Sequence, residues 1–184
     1  MTSQTSNQTQ TRWNIAAILS AAALMVAGSH VEIPYYPVPM TLQTVAVLGT
    51  GLALGLRQGG AAVATFLGAG AVGLPVFAGG KGGFEVFARP TGGYLIGFAI
   101  AVLFCGWARD RGWTQSLPGA SVVALLGTAL VYPTGLLQLG AVLGWDKPIL
   151  EWGLAPFILG DITKALIAAF GVTLGARALG LGGR

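Results

Sequence analysis

Pro156-Phe157-Ile158-Leu159-Gly160-Asp161-Ile162-Thr163-Lys164-Ala165-Leu166-Ile167-Ala168-Ala169-Phe170 is an apolar run with an acid and a base set inside it. The other long apolar runs of the chain carry no charge in their middles. Three residues apart on a helix, Asp161 and Lys164 share one face. An ionised side chain within a membrane span costs at least about 2.5–3.5 kcal/mol on insertion scales. The pair therefore asks for a partner, a watery cavity or a function. In the plainest account the two charges neutralise each other and only trim their own insertion cost. Otherwise an intramembrane ionisable pair is a functional candidate by default.

Composition sets the same frame for the whole chain. Of 184 residues, 54% are hydrophobic and 9% charged, against about 25% charged in a soluble domain. With a mean hydropathy of +0.73, this is the sequence of an all-α integral membrane protein that crosses the bilayer several times. Its 30 glycines suit closely packed membrane helices. The net charge of +4 comes from basic residues scattered at the ends of apolar runs, which gives no nucleic-acid footprint. Cys105 is the single cysteine and His30 the single histidine. The first reads as a small buried apolar residue. The second reads as a loop residue, and no histidine-based metal site is expected.

Residues 1–12 form a polar, Thr/Gln/Ser/Asn-rich tail without the basic start of a targeting signal. Residues 13–184 form one membrane domain with six expected spans: Trp13–Gly28, Thr41–Leu56, Ala61–Leu74, Thr91–Ala108, Leu117–Leu143 and Gly153 to about Leu179. Arg57-Gln58-Gly59-Gly60 reads as the tight turn between the second and third, and Tyr132-Pro133-Thr134-Gly135 as a break in the fifth. The three prolines of Pro34-Tyr35-Tyr36-Pro37-Val38-Pro39 forbid a helix and favour stiff, extended backbone. An even number of spans puts both ends on one side. With the N-terminus inside, Arg12, Arg57, Arg109, Arg111, Arg177 and Arg184 lie inside, against Lys81, Arg89 and Lys147 outside. The positive-inside rule then makes both termini cytoplasmic.

This topology places the Pro-rich loop, the Gly-rich loop of residues 75–94 and a Trp-rich loop on the outer face. Asp161 lies eight residues into the sixth span, roughly 12 Å below that face at 1.5 Å per residue. Three unusual loops over a recessed acid–base pair describe a pocket open to the outside. An ammonium beside a carboxylate suits a neutral group with an acceptor oxygen and adjacent N–H donors, such as a urea or amide edge. Lys164 would donate to the oxygen and Asp161 would accept from an N–H, a charge-assisted bond. Arg89 can meet an anionic tail at the mouth or, by the same chemistry, a headgroup phosphate. Phe77, Phe84, Phe87, Tyr94, Tyr35 and Tyr36 can supply apolar walls. Thr41 and Gln43 are polar at the start of the second span.

Four motifs carry a family resemblance: Pro-Val-Pro-Met-Thr-Leu-Gln-Thr (37–44), Gly-Leu-Pro-Val-Phe-Ala-Gly-Gly-Lys-Gly-Gly (73–83), Arg-Pro-Thr-Gly-Gly-Tyr-Leu-Ile-Gly-Phe (89–98) and Gly-Asp-Ile-Thr-Lys (160–164). From about Trp13 onward the chain resembles the BioY family, the biotin-binding substrate-capture (S) components of energy-coupling-factor (ECF) transporters. The resemblance implies a six-helix S-component fold in the cytoplasmic (inner) membrane and high-affinity biotin uptake without a cofactor. It also implies partners: an ECF transmembrane coupling protein and two ABC-type ATPases, although some members work without them. Asp161 and Lys164 would contact the ureido head, and Ala17 and Ala21, on the small-residue face of the first helix, would dock the coupling protein. Glycines 79 and 80 stand where some members carry an asparagine, which leaves them backbone contacts. Phe77, Tyr94, Thr41, Gln43 and Arg89 complete the expected ligand site.

Two other classes compete. A membrane-embedded enzyme would need a nucleophile–base constellation or a metal cluster, and Cys105 and His30 sit in other segments. An ion-coupled secondary transporter of a small polar solute would titrate Asp161, but such folds are built from inverted repeats, and the two halves of this chain do not match. There is no Walker motif either, so any ATP hydrolysis belongs to a partner.

Overall fold

The computed structural model describes residues 2–178, with side chains from residue 11 onward. Among the described residues seven α-helices carry the fold: α1 (Thr2–His30), α2 (Gln43–Ala71), α3 (Gly92–Asp110), α4 (Leu117–Ala129), α5 (Val131–Leu143), α6 (Ile149–Gly153) and α7 (Ile158–Ala178). Leu19, Leu24, Ile100, Leu126, Ile167 and Phe170 stand exposed on them. A water-soluble surface rejects that much apolar area, whereas a lipid-facing one requires it. Thr11–His30, Gly92–Asp110, Leu117–Leu143 and Ile149–Ala178 are long and apolar enough to cross a membrane. The chain is a multi-pass membrane protein.

The helix of α1 runs back to Thr2, through the segment read as a polar tail, and forward to His30, which is its last residue instead of a loop residue. Beyond it the proline-rich stretch is extended, as its composition requires. Strands β1 (Glu32–Ile33) and β2 (Met40–Thr41) pair antiparallel, Glu32 opposite Thr41, around a cis Tyr36–Pro37 peptide. Ser29 is fully buried, and its hydroxyl lies 2.7 Å from the Val76 carbonyl. That contact ties the end of α1 to the Gly-rich loop.

Within α2 the chain reverses at Gly55, whose φ of 78° and ψ of −175° leave the helix. Only glycine adopts this backbone without strain. The Cα of Gly51 is 3.6 Å from the Cβ position at Gly59, so the two arms lie back to back as a hairpin. Asp110 accepts the Leu56 N–H at 2.9 Å and caps the second arm, satisfying a donor that the break leaves open. The reversal thus comes at Gly55 and not at Arg57–Gly60, because the cap and the left-handed glycine are both upstream. The break in the fifth expected span likewise shifts, to Leu130 between α4 and α5. Pro133 lacks an N–H for the Ala129 carbonyl and its ring collides with it, so the helix yields before the proline rather than at it.

Packing around α3 depends on close backbone approach. Cβ positions at Gly93 and Gly97 would collide with the Thr134 and Val131 carbonyls of α5, the small-residue mode of membrane helices. Gly51 approaches the Cβ of Cys105 in the same way, 2.7 Å from its own Cβ position, and Cys105 is fully buried with Val47, Leu48, Phe66 and Val102. The last helix begins at Ile158, five residues later than the sequence suggests. Residues 149–157 form α6 and a turn that carries the chain down to it.

Candidate functional site

Asp161 therefore sits in the first turn of α7, where the partial positive charge of a helix end complements a carboxylate. It is 8% exposed. Lys164 Nζ donates to Asp161 Oδ1 at 2.9 Å, with the two side chains 14% and 12% exposed. The Tyr132 hydroxyl donates to Asp161 Oδ2 at 2.6 Å. Each carboxylate oxygen is thus engaged once and keeps an acceptor position for a ligand. Burial raises the value of every one of these bonds relative to water.

This trio forms part of the wall of a cleft of about 740 Å³, measured out to its open mouth. Apolar groups dominate the wall: Val38, Phe77, Leu95, Phe98, Val131 and Phe157. The Phe77 ring is 2% exposed and packs edge-on against Phe66 and Phe87 at 5.4 and 5.7 Å. Its seat exists because Gly70 has no side chain; a Cβ there would enter the Phe77 ring. Tyr35, from the proline-rich segment, meets Phe157 edge-on at 6.3 Å. Tyr94 spends its hydroxyl on the Gly153 carbonyl at 2.8 Å and sets its ring against Tyr132 at 6.4 Å. It is a prop for the floor as well as a wall.

Gln43 is a polar member of the lining. It is 2% exposed, and its Nε2 has no hydrogen-bond partner among the described residues. Its backbone N–H donates to Thr41 Oγ1 at 3.3 Å, and Thr41 and Thr44 also line the cleft. A buried donor without a partner costs roughly 1–3 kcal/mol. Such a group facing a cleft is a request for a ligand acceptor.

Six of the sequence candidates converge on this cleft: Asp161, Lys164, Tyr94, Phe77, Thr41 and Gln43. Arg89, Gly79 and Gly80 are exposed and do not line it. The two glycines, at φ 71° and 65°, form the tip of a tight turn whose base is the Phe77–Lys81 backbone pair. The turn therefore presents Phe77, Ala78 and Lys81 to the cleft and turns its tip away from it. Among the docking candidates, Ala21 is 7% exposed inside the fold and Ala17 is half-buried. Ala16, Ser20, Ala23 and Ala27 of α1 remain exposed, a stripe one helix face away. Tyr132, Lys81 and Thr91 line the cleft without having been singled out as ligand contacts. For Tyr132 a signal existed, since it begins the Pro-Gly break at membrane depth, where irregular backbone borders cavities.

Known proteins share this fold. The model of the BioY family matches residues 2–180. A protein of Thermotoga maritima named biotin transporter BioY is 39% identical over 147 residues, covering 80% of this chain and 86% of that protein. Its namesake from Rhodobacter capsulatus is 37% identical over 169 residues, covering 84% and 88%. Among solved structures, the crystal structure of the S-component for biotin from an ECF-type ABC transporter superposes with a TM-score of 0.81. It is 26% identical and covers 96% of this chain and 95% of that one. A family match across nearly the whole chain, with relatives 37–39% identical over most of their length, shows that the chain belongs to the BioY family.

Proposed function

We propose that this protein is a high-affinity biotin-binding component for vitamin uptake in the cytoplasmic membrane. The observation that carries the proposal is the Tyr132–Asp161–Lys164 cluster in the wall of an apolar cleft. Biotin presents a urea to such a cluster. Lys164 donates to the ureido oxygen, Asp161 accepts from a ureido N–H, and the thiophane ring takes the apolar wall. The free Nε2 of Gln43 supplies a further donor. The relatives named biotin transporter BioY support the same ligand.

The chain then makes six crossings. The two arms of α2, residues 43–54 and 56–71, supply the second and third beside the four longer spans. At 1.5 Å per residue they reach about 18 and 24 Å, less than the roughly 30 Å hydrocarbon core. They sit shallow or thin the bilayer locally. Six crossings keep both termini on one side, and the positive-inside rule makes that side the cytoplasmic one. The exposed stripe of Ala16, Ser20, Ala23 and Ala27, adjoining Ala17, is the face offered to an ECF coupling protein. That protein and its two ATPases energise release; in their absence the chain binds biotin alone.

Equilibrium binding of radiolabelled biotin to the purified full chain, with no ion gradient, tests the function. Tight binding is the expected result. A folded protein that ignores biotin at micromolar concentration refutes it, and solute uptake that tracks an ion gradient would install the secondary transporter instead.

A further inference from the structure

The cleft holds more positive charge than its floor needs. Three charged residues line it: Asp161, Lys164 and Lys81. The first two pair with each other at 2.9 Å. Lys81 forms no ion pair among the described residues. An acid, Glu32, lies in the same neighbourhood. Its Oε1 and Lys81 Nζ lie 3.8 and 3.9 Å from the Cβ position at Gly79, yet the two groups do not meet, and Glu32 is outside the lining. One cation is left over at the mouth.

The backbone of Lys81 is fixed while its side chain is exposed. Its N–H and carbonyl exchange hydrogen bonds with Phe77 at 3.2 and 2.9 Å, and Phe77 is among the most deeply buried side chains of the fold. The ammonium is thus tethered at the rim on a rigid base. Two other cations of the same set of loops are poorer candidates. Arg89 is exposed and does not line the cleft. Lys147 is paired with Asp146 at 2.8 Å.

We propose that Lys81 is the subsite for the ligand's carboxylate, a rim cation that recognises the anionic end of a ligand whose neutral head is held by Asp161 and Lys164. The assignment rests on the biotin reading and sharpens it: the protein selects the free acid over derivatives with a neutral tail. An ammonium and a carboxylate at a partly wet rim attract through a charge-assisted bond, weakened by water and salt.

The test compares biotin with biotinamide, whose tail is neutral, on the purified full chain and on Lys81→Met and Lys81→Arg. The parent should bind biotin about five- to tenfold more tightly than biotinamide. Lys81→Met should lose that preference by weakening biotin alone, with biotinamide unchanged, and Lys81→Arg should restore it. Added salt should erode the preference in the parent. If Lys81→Met keeps the preference, or weakens both compounds equally, the subsite is overturned. If Arg89→Met abolishes it instead, the carboxylate belongs to Arg89. A folded parent that binds neither compound refutes the biotin reading itself, and the subsite with it.

Discussion

Lys164→Met removes one half of a buried ion pair and leaves the other half in place. In the native protein the two side chains are 14% and 12% exposed and meet at 2.9 Å. Withdrawing one partner from such a pair typically costs about 3–5 kcal/mol, because the remaining charge is buried without compensation. Here the Tyr132 hydroxyl still donates to Asp161 at 2.6 Å, so the loss should fall near the lower end, about 3 kcal/mol. Binding suffers separately, since a hydrogen bond to a charged group contributes about 1.5–3 kcal/mol, roughly 10- to 150-fold in Kd. The double variant Asp161→Asn/Lys164→Met separates the two effects. With both charges gone the fold no longer buries an orphan, and stability should return most of the way to the parent. Biotin affinity should not return, because the ammonium donor is gone and a neutral amide oxygen replaces the charged carboxylate acceptor. Thermal unfolding in detergent measures the first quantity and equilibrium binding of labelled biotin the second. A single variant as stable as the parent would show that the pair is not energetically coupled. A double variant that binds biotin like the parent would remove the cluster from the site.

Tyr132→Phe deletes only the hydroxyl on Asp161 and keeps the ring against Tyr94; biotin affinity should fall about tenfold, and an unchanged Kd would show that Tyr132 merely fills space. Gln43→Met exchanges a buried, unpartnered amide for an apolar chain of similar length, so the ligand-free protein should melt higher by the equivalent of about 1 kcal/mol while biotin binding weakens; a variant that loses stability would mean that the amide is bonded after all. Gly55→Ala forces a left-handed backbone on alanine and drives its methyl into Asp110, and the melting temperature should drop by the equivalent of about 1–2 kcal/mol or more; tolerance of alanine there would contradict the reversal in α2.

Much of the site was legible because its chemistry is local. Asp161 and Lys164 are three residues apart, and helical periodicity alone places them on one face. An apolar background makes a charge conspicuous wherever it lies, so the floor of the cleft stood out from the surrounding span. The Phe77 turn announced itself through its glycines. What hid were contacts between distant segments. The Tyr132–Asp161 bond joins residues 29 apart, and nothing in either local sequence requires the other. The same is true of the Ser29–Val76 tie and of the Asp110 cap on Leu56.

Cations at the mouth show the limit most plainly. Arg89 and Lys81 are eight residues apart in one glycine-rich loop, and composition treats them alike. Only the backbone pairing of Phe77 with Lys81 turns one toward the cleft and leaves the other outside it. Likewise, spacing alone marks both Ala17/Ala21 and the stripe from Ala16 to Ala27 on α1. Packing inside the fold decides that Ala21 is buried and Ala23 is not.

By itself, then, the sequence determined the solvent, the helical class, the charged pair and the family, because hydropathy, period and motif spacing are properties of neighbouring residues. The tertiary structure decided where α2 reverses, which hydroxyl steadies Asp161 and which cation faces the cleft. Those outcomes depend on close approach between segments far apart in the chain, where a missing Cβ or a single hydrogen bond settles which surfaces can meet.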